Sequence, residues 1–240
     1  MSSIAAAEAL MTDVKDDILD AALAHVAFDG WSDATLIAAA GDTGVDIAAA
    51  RALFPRGAVD LAMAFHRRVD AAMVAAMAEA DLDAMKIREK ITHAVRLRLE
   101  LMAGQKEAVR RGTTLFALPI HAADGARALW ETADAIWTAI GDSSADINWY
   151  TKRMTLSAVY SATVLFWLGD SSEGHEATWG FLDRRIGDVM QIEKLKADMR
   201  QSKVLAPFMA GPNWLFDHVK APSGVPPKDM PGHCGGRDES

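Results

Sequence analysis
The chain has 240 residues and a formal net charge of −8, from 25 Lys and Arg against 33 Asp and Glu. Half of its residues are hydrophobic, enough to bury a core without disulfide or metal staples, and one cysteine, Cys234, excludes an internal disulfide framework. A chain this acidic lacks the broad basic face that draws nucleic-acid phosphate. Its 45 alanines favour helix over strand, so an all-α fold is expected.

In chain order, residues 1–11 read as a flexible N-terminus, and their alanine run has no basic flank to make it a secretory signal. Ile18, Leu19, Ala22, Leu23, Val26 and Ala27 repeat at helical spacing up to Gly30. Ser32 supplies an N-cap for a short helix to Ala40, which Gly41-Asp42-Thr43-Gly44 breaks. Asp46 to Leu53 is a third short helix, ended by Phe54-Pro55, and a long helix covers about Ala58 to Glu79. The tight glycine-containing turn makes residues 12–80 a helix-turn-helix subdomain with its connecting helix.

Residues 81–200 form a second helical region, with helices at about Met85–Ala103, Lys106–Leu118, Gly125–Ile140, Ala145–Leu168 and Glu176–Arg200. Two Gly-Asp-Ser-Ser copies, at 141–144 and 169–172, read as Gly C-caps followed by cap residues of the next helix. The longest uncharged stretch, Met154 to Gly169, falls short of the ~20 apolar residues of a membrane span. Residues 201–220 carry an interrupted apolar segment, and 221–240, rich in Pro and Gly, read as a disordered tail.

Three helices followed by an all-α region resemble a TetR-type transcriptional regulator that senses a hydrophobic ligand. Charge opposes that reading. Asp13 to Asp70 carries five basic and ten acidic residues, a net of 5 − 10 = −5, and the presumptive recognition helix offers Arg51 among alanines. No nucleic-acid partner is therefore expected. Nor is catalysis. The seven histidines include no Glu-x-x-His pair, and nucleophile-elbow, Walker and dinucleotide motifs are missing, so neither cofactor nor metal is expected.

Two features stand out. Leu99, Met102, Leu115, Phe116, Leu156, Val159, Tyr160, Val164 and Trp167 lie in helices with little polar face, which pack together or line a cavity for an apolar ligand. The stretch Asp146-Ile147-Asn148-Trp149-Tyr150-Thr151-Lys152-Arg153 sets two adjacent aromatics on a helix, where one must turn from the core or both wedge between neighbours. In addition, Lys86 to Arg111 carries eight basic residues against three acidic, 8 − 3 = +5, a strip suited to anionic lipid or to a solvated face.

Asn148-Trp149-Tyr150-Thr151-Lys152-Arg153, Ala117-Leu118-Pro119, Asp170-Ser171-Ser172 and Thr178-Trp179-Gly180-Phe181-Leu182 closely resemble the Coq-nine lipid-binding family of ubiquinone biosynthesis. The strong part spans about Lys86 to Gln191, and the helix-turn-helix with Leu53-Phe54-Pro55-Arg56-Gly57 is also similar. The resemblance implies a TetR-like fold that has left DNA and binds isoprenoid quinone intermediates or phospholipid. It implies a non-catalytic accessory that presents them to demethoxyubiquinone hydroxylase, with Trp149 and Tyr150, flanked by Asp146 and Arg153, matching the docking patch. It further implies a peripheral place at the inner membrane on the cytoplasmic side, and a homodimer, which TetR-like folds often form. Family members end in an amphipathic membrane-contacting helix; here the tail is shorter and interrupted by Gly211-Pro212, so that Phe208, Trp214, Leu215 and Phe216 either contact the membrane or fold back on the core. Eukaryotic members begin with a mitochondrial presequence; its absence here fits a bacterial-type member.

Overall fold
The computed structural model describes residues 2–144 and 147–201, with side chains over 10–144 and 147–191. Asp146, Phe208, Trp214, Leu215 and Phe216 lie outside the described residues. Among those described there are nine α-helices and no strand, the all-α fold that the alanine content favours.

Helix α1 (Ser2–Asp29) starts ahead of the expected boundary after residue 11, because nothing between Ser2 and Gly30 breaks a run of strong helix formers. Gly30, at φ +66°, ends it. The Ser32 hydroxyl accepts the Thr35 N–H at 3.2 Å and opens α2 (Asp33–Thr43). This helix runs through Gly41 rather than ending at Ala40. An interior glycine costs only about 1 kcal/mol, and Gly44, at φ +68°, closes α2 with N–H bonds to the Ala40 and Gly41 carbonyls. Asp46 caps α3 (Ile47–Leu53) by accepting the Ala48 N–H at 2.8 Å. Helix α4 (Ala58–Ala78) follows Gly57, where an added Cβ would lie 2.5 Å from Asp33 Oδ1.

The second half comprises α5 (Ile87–Leu101), α6 (Lys106–Ala117), α7 (Ala122–Ala139), α8 (Ile147–Gly169) and α9 (Glu176–Gln201). At the first Gly-Asp-Ser-Ser copy the expected glycine cap is present, with Gly141 at φ +79°. At the second it is not. Gly169 stays inside α8, and the Asp170 carboxylate organises the turn by accepting the Ser172 and Thr178 N–H groups at 2.8 and 2.9 Å. A short acceptor side chain replaces left-handed backbone there.

Packing joins α1 to α2, α4 to α5 and α7, and α8 to both α7 and α9. One hydrophobic cluster runs from Ile18, Leu36 and Leu61 to Leu99, Ile136, Trp167 and Leu182. The core is continuous across residue 80, so the helix-turn-helix and the second helical region fold on shared apolar contacts.

Candidate ligand cavity and aromatic patch
A cavity of about 460 Å³ lies between α4, α6, α7 and α8 and is closed at one side by Trp31. Its wall is alanine, glycine and large apolar side chains, with Phe65, Met102, Phe116 and Val164 among them. Small residues make the space. Gly125 lets α7 pass over Phe116 so closely that a Cβ would stand 2.8 Å from Phe116 Cβ, and Gly112 sits beneath the indole of Trp31. Trp31 is held by its N–H, which donates to the Ala108 carbonyl at 2.9 Å, and by its tilted contact with Phe65.

Three polar side chains, His66, Arg98 and Tyr160, meet at one end of this cavity. Arg98 is fully buried. Its Nε donates to Asp70 Oδ1 at 2.6 Å, one Nη to the Tyr160 hydroxyl and the other to the His66 carbonyl at 3.3 Å. Thr132 donates to Asp70 at 2.9 Å, and His66 Nε2 lies 2.8 Å from Thr132 Oγ1 and 2.9 Å from the Ala128 carbonyl. Burial sets the titration of all three ionisable partners. It pushes the Asp70 carboxyl up, against the opposing pull of Arg98. It drives the His66 imidazole well below its ordinary value, with the Arg98 charge adding to the effect, and lifts the Tyr160 phenol to about 12. At neutral pH this end therefore holds an ion pair of zero net charge, a neutral imidazole and a neutral phenol.

A second cavity, also about 460 Å³, lies between α5, the α7–α8 turn, α8 and α9. Ile91, Leu156, Val159 and Ile186 supply apolar wall, and Asp142 and Lys152 stand among its lining residues. Asp142 accepts from Lys152 at 2.8 Å, from Ser144 at 2.9 Å and from Arg153 at 3.1 Å. Burial alone would raise the Asp142 carboxyl, but these donors overcome it and hold it at about 2.

The aromatic pair at the start of α8 meets a third ring. Trp149 and Tyr150 contact each other edge-on at 4.8 Å, and Trp130 of α7 lies 5.7 and 6.2 Å from them. All three are half-buried. Adjacent helical positions diverge by about 100°, and both rings still reach one residue on the neighbouring helix. Arg153, expected at the surface beside them, is only 2% exposed. It donates to Asp134 at 2.5 Å and to the Trp149 carbonyl at 3.2 Å, and its guanidinium lies 3.9 Å from the Trp149 ring centroid. Buried between two carboxylates, it fixes Trp149 rather than meeting a partner. Trp130 had no sequence signal, having no aromatic neighbour within two turns to its N-terminal side and only Trp137 seven residues on.

The residues expected to bind lipid divide. Met102, Phe116, Tyr160 and Val164 line the first cavity, and Leu156 and Val159 the second. Leu99 and Trp167 are core residues, and Leu115 packs against the core. The basic strip also changes character. Arg98 faces inward, Arg96 pairs with Glu100, Arg110 and Arg111 pair with Glu107, and Lys106 lies over the Trp167 ring. Arg96, Arg98, Arg110 and Arg111 thus each have a carboxylate partner within the chain. The exposed face of α3 presents Ala48, Ala49, Arg51 and Ala52, a single guanidinium for DNA. Among the described residues no helix is long and apolar enough to cross a membrane.

The sequence profile of the COQ9 family matches residues 122–193, which include α7, α8 and most of α9. Over these helices the chain resembles the COQ9 family. The Drosophila melanogaster ubiquinone biosynthesis protein COQ9, mitochondrial, is 30% identical over 194 residues, 79% of this chain and 59% of its own length. The Homo sapiens protein of the same description is 30% identical over 182 residues, 73% of this chain and 57% of its own. A probable coq9 protein from Dictyostelium discoideum is 28% identical over 196 residues, 79% and 64% of the two chains. The chain thus spans about 60% of the length of these COQ9 relatives. A TetR transcriptional regulator from Nitrosomonas europaea is similar with a TM-score of 0.60 and 24% identity, over 73% of this chain and 97% of its own. That likeness establishes a TetR-like fold, and the fold alone.

Proposed function
We propose that this chain is a non-catalytic, lipid-binding accessory factor of ubiquinone biosynthesis. It takes an isoprenoid quinone intermediate or a phospholipid from the cytoplasmic side of the inner membrane and presents it to demethoxyubiquinone hydroxylase. The observation that carries the reading is the 460 Å³ apolar cavity with a few convergent polar groups at one end. Each buried CH₂ contributes about 0.8 kcal/mol, so a long isoprenoid or acyl chain supplies ample binding energy. A cavity of this size takes a drug-sized portion of such a molecule, and the rest of the chain leaves through the mouth.

Exposed apolar side chains beside the cavity support contact with a membrane surface. Leu165 lines the cavity and is 63% exposed. Ala117 and Ala122, also in the lining, flank a loop that carries Leu118 and Ile120, the latter 79% exposed. The Trp130–Trp149–Tyr150 cluster has the aromatic make-up of an interface hot spot and supports the docking role for Trp149 and Tyr150.

Mass spectrometry of the organic extract of the purified protein tests the reading. A stoichiometric isoprenoid quinone intermediate or phospholipid is the expected result; protein that carries no lipid and takes none up from liposomes would overturn it.

A further inference from the structure
Granted the docking reading of the aromatic patch, on which this inference rests, the charge cluster at the α7–α8 turn decides which residue sets the position of Trp149. Arg153 and Lys152 meet Asp134 and Asp142 there, and the four charges cancel. The two carboxylates on Arg153 are not equivalent. Asp134, on α7, is 43% exposed and accepts from Nε at 2.5 Å. Asp142, in the turn, is 3% exposed and accepts from Nη1 at 3.1 Å.

Asp134 bonds to nothing but Arg153 among the described residues. A half-exposed carboxylate with one partner is solvated and holds a guanidinium weakly. Asp142 is itself held. Its Oδ1 accepts from Lys152 Nζ at 2.8 Å and from the Ser144 hydroxyl at 2.9 Å. Lys152 is tied down in turn, with its ammonium 5.0 Å from the Trp137 ring centroid and its carbonyl accepting the Trp137 indole N–H at 3.2 Å. A buried, fully bonded carboxylate is a rigid anchor. The guanidinium that it anchors reaches both the ring of Trp149, at 3.9 Å, and the Trp149 carbonyl, at 3.2 Å. Without the Asp142 charge, Arg153 keeps only Asp134, which draws it toward solvent and away from the ring.

We propose that Asp142 is the positioning residue of the docking patch: through Arg153 it sets the Trp149 ring, and with it the Tyr150 and Trp130 contacts, in the arrangement that a partner meets. Asp142 and Lys152 line the second cavity, so the patch is anchored at that inner wall and not at the surface where it docks.

Titration of the full chain with demethoxyubiquinone hydroxylase, alongside near-ultraviolet circular dichroism of the same samples, tests this. Asp142→Asn keeps the size and an acceptor oxygen but removes the charge. It should weaken hydroxylase binding about tenfold, and that loss should vanish on a Trp149→Ala background, because Trp149 transmits it. A residue that merely held the turn would cost the same affinity on both backgrounds. The dichroism band that Trp149→Ala removes should largely disappear in Asp142→Asn and persist in Asp134→Asn. In the unaltered protein, nuclear Overhauser contacts from the Arg153 Nε–H to the Trp149 ring should be present, and this holds whether or not a variant folds. An unchanged band in Asp142→Asn, an equal loss on both backgrounds, or missing Overhauser contacts would each overturn the positioning role. If Trp149→Ala binds the hydroxylase as tightly as the unaltered chain, the docking reading falls instead, and the band and the Overhauser contacts alone decide the positioning role.

Discussion

Arg98 is a cation sealed inside an apolar fold, and its retention depends on Asp70. Removing one partner strands the other. Arg98→Met is therefore expected to cost about 3–5 kcal/mol, measured by urea denaturation, and Arg98→Met with Asp70→Leu should recover most of that loss. A double variant as unstable as the single one would show that the pair is not the source. His66 carries a separate pH signature. Its folded value is depressed below the ordinary 6.5, so the unfolded chain binds a proton more readily than the folded one. Stability is present above pH 6.5 and is lost as pH falls below it; Asp70, raised by burial, works in the opposite direction and offsets part of this. The urea midpoint should fall between pH 7.5 and 5.5, and His66→Gln, which does not titrate, should reduce the drop. An unchanged drop would remove His66 from the account.

At the scale of elements, the close crossing of α6 and α7 shapes the cavity. A Cβ at position 125 collides with Phe116, so Gly125→Val is expected to overpack the crossing by about 1–3 kcal/mol and push Phe116 into the cavity. Thermal denaturation together with lipid content per mole of protein checks this; unchanged lipid content would show that the crossing does not control the space. The α7–α8 contact sets the aromatic cluster. Trp130→Ala should weaken hydroxylase binding by about 2 kcal/mol, the scale of a hot-spot residue, while sparing co-purified lipid, in a pull-down run beside Trp149→Ala. Much of this architecture was legible in the sequence, because its signals are local. Gly30, Ser32, Asp46 and the Phe54-Pro55 pair mark the end of α1, the start of α2 and both ends of α3 within a few residues. The Trp149-Tyr150 pair was visible as an anomaly of helical spacing. What escaped was long-range. Arg98 looks like one more cation in a basic strip until α4 brings Asp70 to it, and Arg153 looks exposed until Asp134 and Asp142 enclose it. Trp130 gains meaning only from α8, and Gly169 resembles Gly141 although Asp170 does the capping at the second turn.

For the whole molecule, the shared core has the clearest consequence. Ile18 and Leu36 belong to the same apolar cluster as Trp167 and Leu182, so the helix-turn-helix shares one core with the second helical region and is not a detachable unit. Differential scanning calorimetry should show one cooperative transition with matching calorimetric and van't Hoff enthalpies; two resolved transitions would mean that the halves fold separately. The internal Asp70–Arg98 pair sums to zero and adds nothing to the chain's net −8. A neutral guest in the cavity would leave that charge untouched. The electric field that governs long-range encounter with charged surfaces would then be the same with and without such a guest, and what separates arrival from departure would be contact alone.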